Sequence, residues 1–161
     1  MSSEIRKHEV MPSRSFDDFS VGEIFRNPSR TMTDAQLLAF QAVSGDNHPI
    51  HYDRVYCNAH GHPELLAHGL HVLCQVAAGA GPLAHAMSDC LIAFLDQSSE
   101  FLKPVYVGDT LYPEFEIVEL TKQRTTGILV VEARVFNQRD EIALRGRQRY
   151  LLRLSEDRDT T

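Results

Sequence analysis

No Cys-x-x-Cys pair occurs in this chain, and its three cysteines, Cys57, Cys74 and Cys90, are widely spaced. That pattern excludes a zinc ribbon or a thioredoxin-type redox pair and leaves three reduced thiols acting as small apolar groups. No glycine-rich loop of the Rossmann or Walker kind is present, so no dinucleotide cofactor is expected, nor any other cofactor. No apolar run approaches the length that crosses a bilayer, and the opening Met1-Ser2-Ser3-Glu4-Ile5-Arg6 lacks the apolar core of a signal peptide. The expected setting is therefore the cytoplasm, without membrane contact. Basic residues are outnumbered, 16 Lys and Arg against 22 Asp and Glu, giving a formal charge of −6. That balance argues against nucleic-acid binding, while a local basic patch would still suffice for an anionic small ligand. There is no internal repeat and no low-complexity tract.

The chain has 161 residues, 43% apolar and 24% charged, enough for one good core. Residues 1–15 are polar and patternless and are expected to form a flexible arm. Residues 16–154 carry the periodic sequence of a single domain, and 155–161 form a charged tail.

Chemistry concentrates in Ser44-Gly45-Asp46-Asn47-His48-Pro49-Ile50-His51-Tyr52-Asp53, which packs two carboxylates, two imidazoles and a proline into ten residues. Pro49 fixes its own φ and pushes His48 toward an extended shape. A loop stiffened in this way can aim Asp46 and His51 at one place and grip a single water between a carboxylate and an imidazole.

Around it the chain reads in order. Glu23 to Met32 predicts a short strand interrupted at Asn27-Pro28. Thr33 and Gln36 have capping-box spacing, and Leu37, Leu38, Phe40, Ala42 and Val43 then supply a helical apolar face ending at Gly45. Asp53 is assigned to capping a second, short helix that ends by Gly61. A third helix begins at Gly69 and is apolar almost all round through Ala84, which predicts a buried central position, with an end or kink at Gly81-Pro82. Strands follow: Leu91 to Leu102 with a bulge, Thr110 to Leu120, Gly127 to Phe136, and Glu141 to Leu154. Helices first and consecutive strands later imply an antiparallel α+β layer structure.

Three blocks carry a resemblance: Ser44-Gly45-Asp46-x-x-Pro49-x-His51-x-Asp53, then Ala67-His68-Gly69, then Pro104-Val105-x-x-Gly108-Asp109. In this order they resemble the MaoC-like dehydratases, which include the (R)-specific enoyl-CoA hydratases, over roughly residues 16–154. The resemblance implies the hot-dog fold, a curved antiparallel sheet wrapped around a long central helix. It implies that Asp46 and His51 are the catalytic pair and that the Gly69 amide binds the thioester oxygen. It also implies a homodimer with sheets edge to edge and an acyl-CoA substrate near the subunit contact. Two departures stand out. His48 occupies the place before the proline where the family often has Asn, and Ala77 lies where some members carry a serine.

Hydration of a 2-enoyl thioester requires deprotonation of water, protonation at C2 and stabilisation of charge on the thioester oxygen. Asp46 and His51 divide the first two tasks, each worth about a hundredfold to ten-thousandfold. The Gly69 amide, at a helix start, serves the third; losing one such donor costs roughly 3–4 kcal/mol in the barrier. Asn47, His48 and His68 flank the pair as candidate substrate contacts, with His68 also ordering the turn before Gly69. Arg145 and Arg147 share a strand face with Arg149 and Arg153 and are candidate contacts for the CoA phosphates. His48, His60, His62 and His68 lack the usual zinc spacings, so no metal is expected. The alternatives are a hot-dog acyl-CoA thioesterase using Asp46 against the carbonyl, and a non-catalytic acyl-thioester binding protein.

Overall fold

The computed structural model describes residues 10–155. The expected N-terminal arm lies within this range only from Val10 onward, and the charged tail only at Ser155. Residues 13–15 are tied to the body: the Arg14 amide donates to the Ala86 carbonyl at 2.8 Å, and its guanidinium pairs with Glu23 at 2.8 Å.

The interrupted strand becomes two short ones, β1 (Ile24–Arg26) and β2 (Arg30–Thr31). Helix α1 (Asp34–Ser44) starts on the capping box, with Gln36 Oε1 accepting from the Thr33 amide at 2.9 Å, and stops at Gly45, whose φ of 73° is left-handed. Leu37 is buried, while Leu38 and Val43 face solvent, so α1 meets the body along a narrower line than its composition suggests. Asp53 caps α2 (Arg54–Ala59) by accepting from the Val55 and Tyr56 amides at 2.9 and 3.0 Å.

The central segment is not one continuous helix. It is α3 (Gly69–Leu73), two 3-10 turns over Cys74–Val76 and Ala78–Ala80, and α4 (Pro82–Ala86). Ala77 is extended, at φ −68° and ψ 124°, which breaks the helix well before Gly81-Pro82. The Gln148 side chain holds this break together: its Nε2 donates to the Val76 carbonyl at 2.7 Å. An interrupted helix cannot present one face to the sheet throughout. Val72, Val76, Leu83, Ala86 and Met87 are buried, but Leu70 is exposed.

The sheet is antiparallel, ordered β1-β4-β5-β6-β3, with β2 also on β4. Its long strands are β3 (Leu91–Phe101), β4 (Thr110–Lys122), β5 (Thr126–Phe136) and β6 (Ile142–Arg153). The predicted slip in β3 is present twice: the register shifts between Leu91 and Ala93 and again between Phe94 and Asp96. The register also shifts between Ile117 and Glu119 in β4 and next to Val135 and Phe136 in β5, and alternation holds over most of the remaining strand length. Phe115, Ile117, Leu129, Val131, Ala133, Val135, Leu144 and Leu152 turn inward and pack on the central segment. The opposite face carries charge, where Arg134 meets Glu114, Glu116 and Glu132.

Candidate active site

The site is assembled from the loop after α1 and the segment that leads into α3. Pro49 opens a single 3-10 turn, Pro49–His51, which brings His51 back over the loop. Leu66 fastens the two segments: its amide donates to the Ile50 carbonyl at 3.1 Å, and its carbonyl lies 2.7 Å from His51 Nδ1. The third motif block backs this up. The Ala67 amide donates to the Val105 carbonyl at 2.8 Å, the Val107 amide to Leu65 at 3.0 Å, and Asp109 Oδ2 accepts from the Tyr106 amide at 2.8 Å. Gly108 makes the turn with a φ of 94°.

A carbonyl only accepts, so His51 Nδ1 carries its hydrogen and Nε2 offers a lone pair. That lone pair lies 3.7 Å from Asp46 Oδ2. The gap is too wide for a direct hydrogen bond and narrow enough for one oxygen atom to reach both groups. His51 is nearly buried, whereas half of the Asp46 side chain is open to solvent. Asp46 Oδ1 accepts from the His48 amide at 3.3 Å, which holds the carboxylate in the loop.

His48 clarifies its own departure from the family pattern. Its Nδ1 accepts from the Ile50 amide at 3.3 Å and caps the Pro49–His51 turn. That is the task an asparagine oxygen performs in an Asx turn. Its ring also meets Tyr56 edge-on at 5.6 Å. Asn47 is exposed and accepts from Gln41 Nε2 at 2.6 Å.

His68 is 2% exposed and lies between the pair and α3. Its Nε2 is 3.2 Å from the Asp46 carbonyl, and its ring stacks on His51 with centroids 3.7 Å apart and planes 21° from parallel. Burial lowers its pKa below the ordinary 6.5, as it does for His71. Phe40 continues the array, tilted on His68 at 5.0 Å and stacked on His71 at 5.1 Å. Phe40 and His71 were not foreseen as site residues. The three-residue spacing of His68 and His71 was the available signal, since it puts both on one side of a starting helix.

Gly69 is the first residue of α3, where helical geometry leaves the amide without an intrahelical partner. A side chain here would sit 3.4 Å from the Phe101 ring. Arg145 and Arg147 lie elsewhere, on the outer sheet face, paired with Glu100 at 3.1 Å and Glu119 at 3.4 Å.

Asp46, His51 and His68 each offer one ligand atom within 4.8 Å of one another. Stacking works against a shared cation, because nearly parallel rings send their in-plane lone pairs side by side rather than to one point. Next to Phe40 opens an apolar cavity of about 770 Å3, bordered by Leu70, Cys74, Ala77, Phe94 and Tyr150.

The sheet wrapped on a central helical segment, with Asp46 and His51 close together on a preceding loop, defines a hot-dog protein of the dehydratase type. The chain matches the MaoC like domain over residues 18–138 and belongs to that family. It is 28% identical to the (R)-specific enoyl-CoA hydratase of Aeromonas caviae over 73% of this chain and 84% of that protein. It is 26% identical to the 3-hydroxybutyryl-CoA dehydratase of Methylorubrum extorquens, over 81% and 79%. Protein MaoC of Klebsiella aerogenes is 28% identical over 77% of this chain, which spans only 35% of that longer protein. Among solved structures, the A. caviae (R)-hydratase superposes with a TM-score of 0.69 at 26% identity, covering 86% and 98%. A double hotdog-fold protein of Mycobacterium tuberculosis gives 0.76 at 28%, covering 92% of this chain and 47% of that one. The enzymes named among these relatives add or remove water, so they are hydro-lyases.

Proposed function

We propose that this protein reversibly hydrates a 2-enoyl thioester to a 3-hydroxyacyl thioester. The observation that carries the reading is the 3.7 Å gap between Asp46 Oδ2 and His51 Nε2. A water in that gap gives one proton to the Asp46–His51 pair as its oxygen attacks C3, and the pair then delivers that proton to C2, so one water supplies both the OH and the H and the two groups end as they began. The Gly69 amide faces the growing charge on the thioester oxygen. The acyl group extends into the apolar cavity beside Phe40. The direction in the cell follows from concentrations.

The protein acts as a homodimer in this reading. Strand β3 is an edge of the sheet, and Ile92, Phe94, Leu95 and Phe101 expose large apolar side chains along it. An open apolar edge of this kind favours pairing with a second copy. Among the described residues no helix is long and apolar enough to cross a membrane.

Incubation with crotonyl-CoA is the test. Loss of the conjugated enoyl absorbance without release of free thiol supports hydration. Release of free CoA replaces this reading with thioester hydrolysis, and binding without turnover replaces it with non-catalytic acyl-thioester binding.

A further inference from the structure

His68 touches each part of the site through a different contact. Its ring covers one face of the His51 imidazole at 3.7 Å. Its Nε2 lies 3.2 Å from the Asp46 carbonyl, which can only accept, so Nε2 carries the hydrogen and donates it. Its own carbonyl accepts from the His71 and Val72 amides at 3.0 Å each and so begins α3, whose first residue is Gly69. At 2% exposure it has little room to move, and Phe40 closes its other side at 5.0 Å.

From this geometry we infer that His68 is a positioning residue, which holds the Asp46–His51 pair in fixed register with the Gly69 amide. This rests on reading Asp46 and His51 as the acid–base pair, and it replaces the expectation that His68 contacts substrate. Leu66 ties His51 and Ile50 to the same segment, whereas the other bonds given for Asp46, to Ser44 and His48, are local and travel with the loop, so His68 is what ties the Asp46 end to α3. Burial disfavours the charged form of the ring, which suits a residue that braces its neighbours through one donated hydrogen and a stacked face. The titratable groups facing His68 are Asp46 and His51 on the loop and His71 on α3.

Two variants divide the contacts. His68→Phe keeps a flat ring against His51 and loses the donor to Asp46. His68→Gln keeps a donor that reaches as far as Nε2 and loses the ring. Each is expected to lower kcat on crotonyl-CoA by about tenfold to a hundredfold, the size of effect that a misplaced catalytic group produces, with KM within about twofold. The His51 imidazole resonances, read by NMR as a function of pH, are expected to shift in both variants. That second readout needs no turnover and is taken on folded protein, so it decides the bracing role even if the parent enzyme fails to hydrate crotonyl-CoA and the hydratase reading falls. Unchanged His51 resonances in both variants would overturn the proposal. So would a loss confined to KM, which would return His68 to substrate binding.

Discussion

His51 Nδ1 lies 2.7 Å from the Leu66 carbonyl, and this one contact decides which ring nitrogen is left to face Asp46. It commits the hydrogen to Nδ1 and turns the Nε2 lone pair toward Asp46. Because the Leu66 amide is itself tied to Ile50, ring and partner cannot drift apart independently. The gap between Asp46 and His51 is therefore a property of two chain segments fastened together rather than of a single loop.

Removing either end of that gap should stop the reaction without unfolding the protein. Asp46→Asn keeps the size of the side chain, and its oxygen can still accept from the His48 amide, but it is no longer a base. His51→Ala removes the lone pair. Steady-state hydration of crotonyl-CoA is expected to fall by about a hundredfold or more in each, with far-UV circular dichroism unchanged. Near-parental turnover in both variants would show that the pair has been assigned wrongly.

Gly146 offers a stability test away from the chemistry. On β6 it lies opposite Ser99 on β3, and a Cβ added there would sit 2.3 Å from the Ser98 carbonyl oxygen. That oxygen belongs to backbone, so the strands must part. Gly146→Ala is expected to lose roughly 1–3 kcal/mol in urea denaturation. Gly79→Ala, whose methyl would meet nothing within 4 Å, serves as the comparison and should change stability by less than about 0.5 kcal/mol.

Features governed by near neighbours in sequence were legible before the structure. Thr33 with Gln36 and Asp53 mark helix starts because such a cap bonds to amides two or three residues away, and Gly45 marks a helix end because the left-handed φ there favours glycine. The alternation through Phe115, Ile117, Leu129 and Val131 marks buried strand faces for the same reason. The break at Ala77 was hidden, since alanine carries no helix-stopping signal and the residue that secures the break, Gln148, comes from β6. The ion pairs of Arg145 and Arg147 were hidden too. They depend on cross-strand register, which the two shifts in β3 set for Arg145 and Glu100 and the shift between Ile117 and Glu119 in β4 sets for Arg147 and Glu119. Stacking of His51 on His68 joins two motif blocks that the sequence shows only as separate signals.

The same break shapes a specificity prediction. Extended backbone at Ala77 leaves small side chains along the cavity of about 770 Å3, and Ala77→Phe would fill part of it. At about 0.8 kcal/mol per buried methylene, excluding two methylenes costs about tenfold in kcat/KM. Longer 2-enoyl-CoA substrates are expected to lose at least that much relative to crotonyl-CoA. An equal loss on every chain length would place the acyl group elsewhere.

Stability should depend on pH through the buried imidazoles. Burial is the largest cause lowering both His68 and His71 below the ordinary 6.5, with His51 also opposing charge on His68, and His68 and Arg30 opposing it on His71. Above 6.5 folded and unfolded chains hold both rings neutral and the full stability is present. As the pH falls below that value the unfolded chain takes up protons that the folded one resists, so stability declines progressively through the lowered folded values. Asp17 and Glu23 are held low by hydrogen bonds from Lys122 and Arg14, and they titrate beneath this window. The urea midpoint is expected to be lower at about pH 5 than at about pH 8, and His71→Phe, which keeps a ring against Phe40, should shrink the difference. An equal drop in parent and variant would assign the pH dependence to other groups.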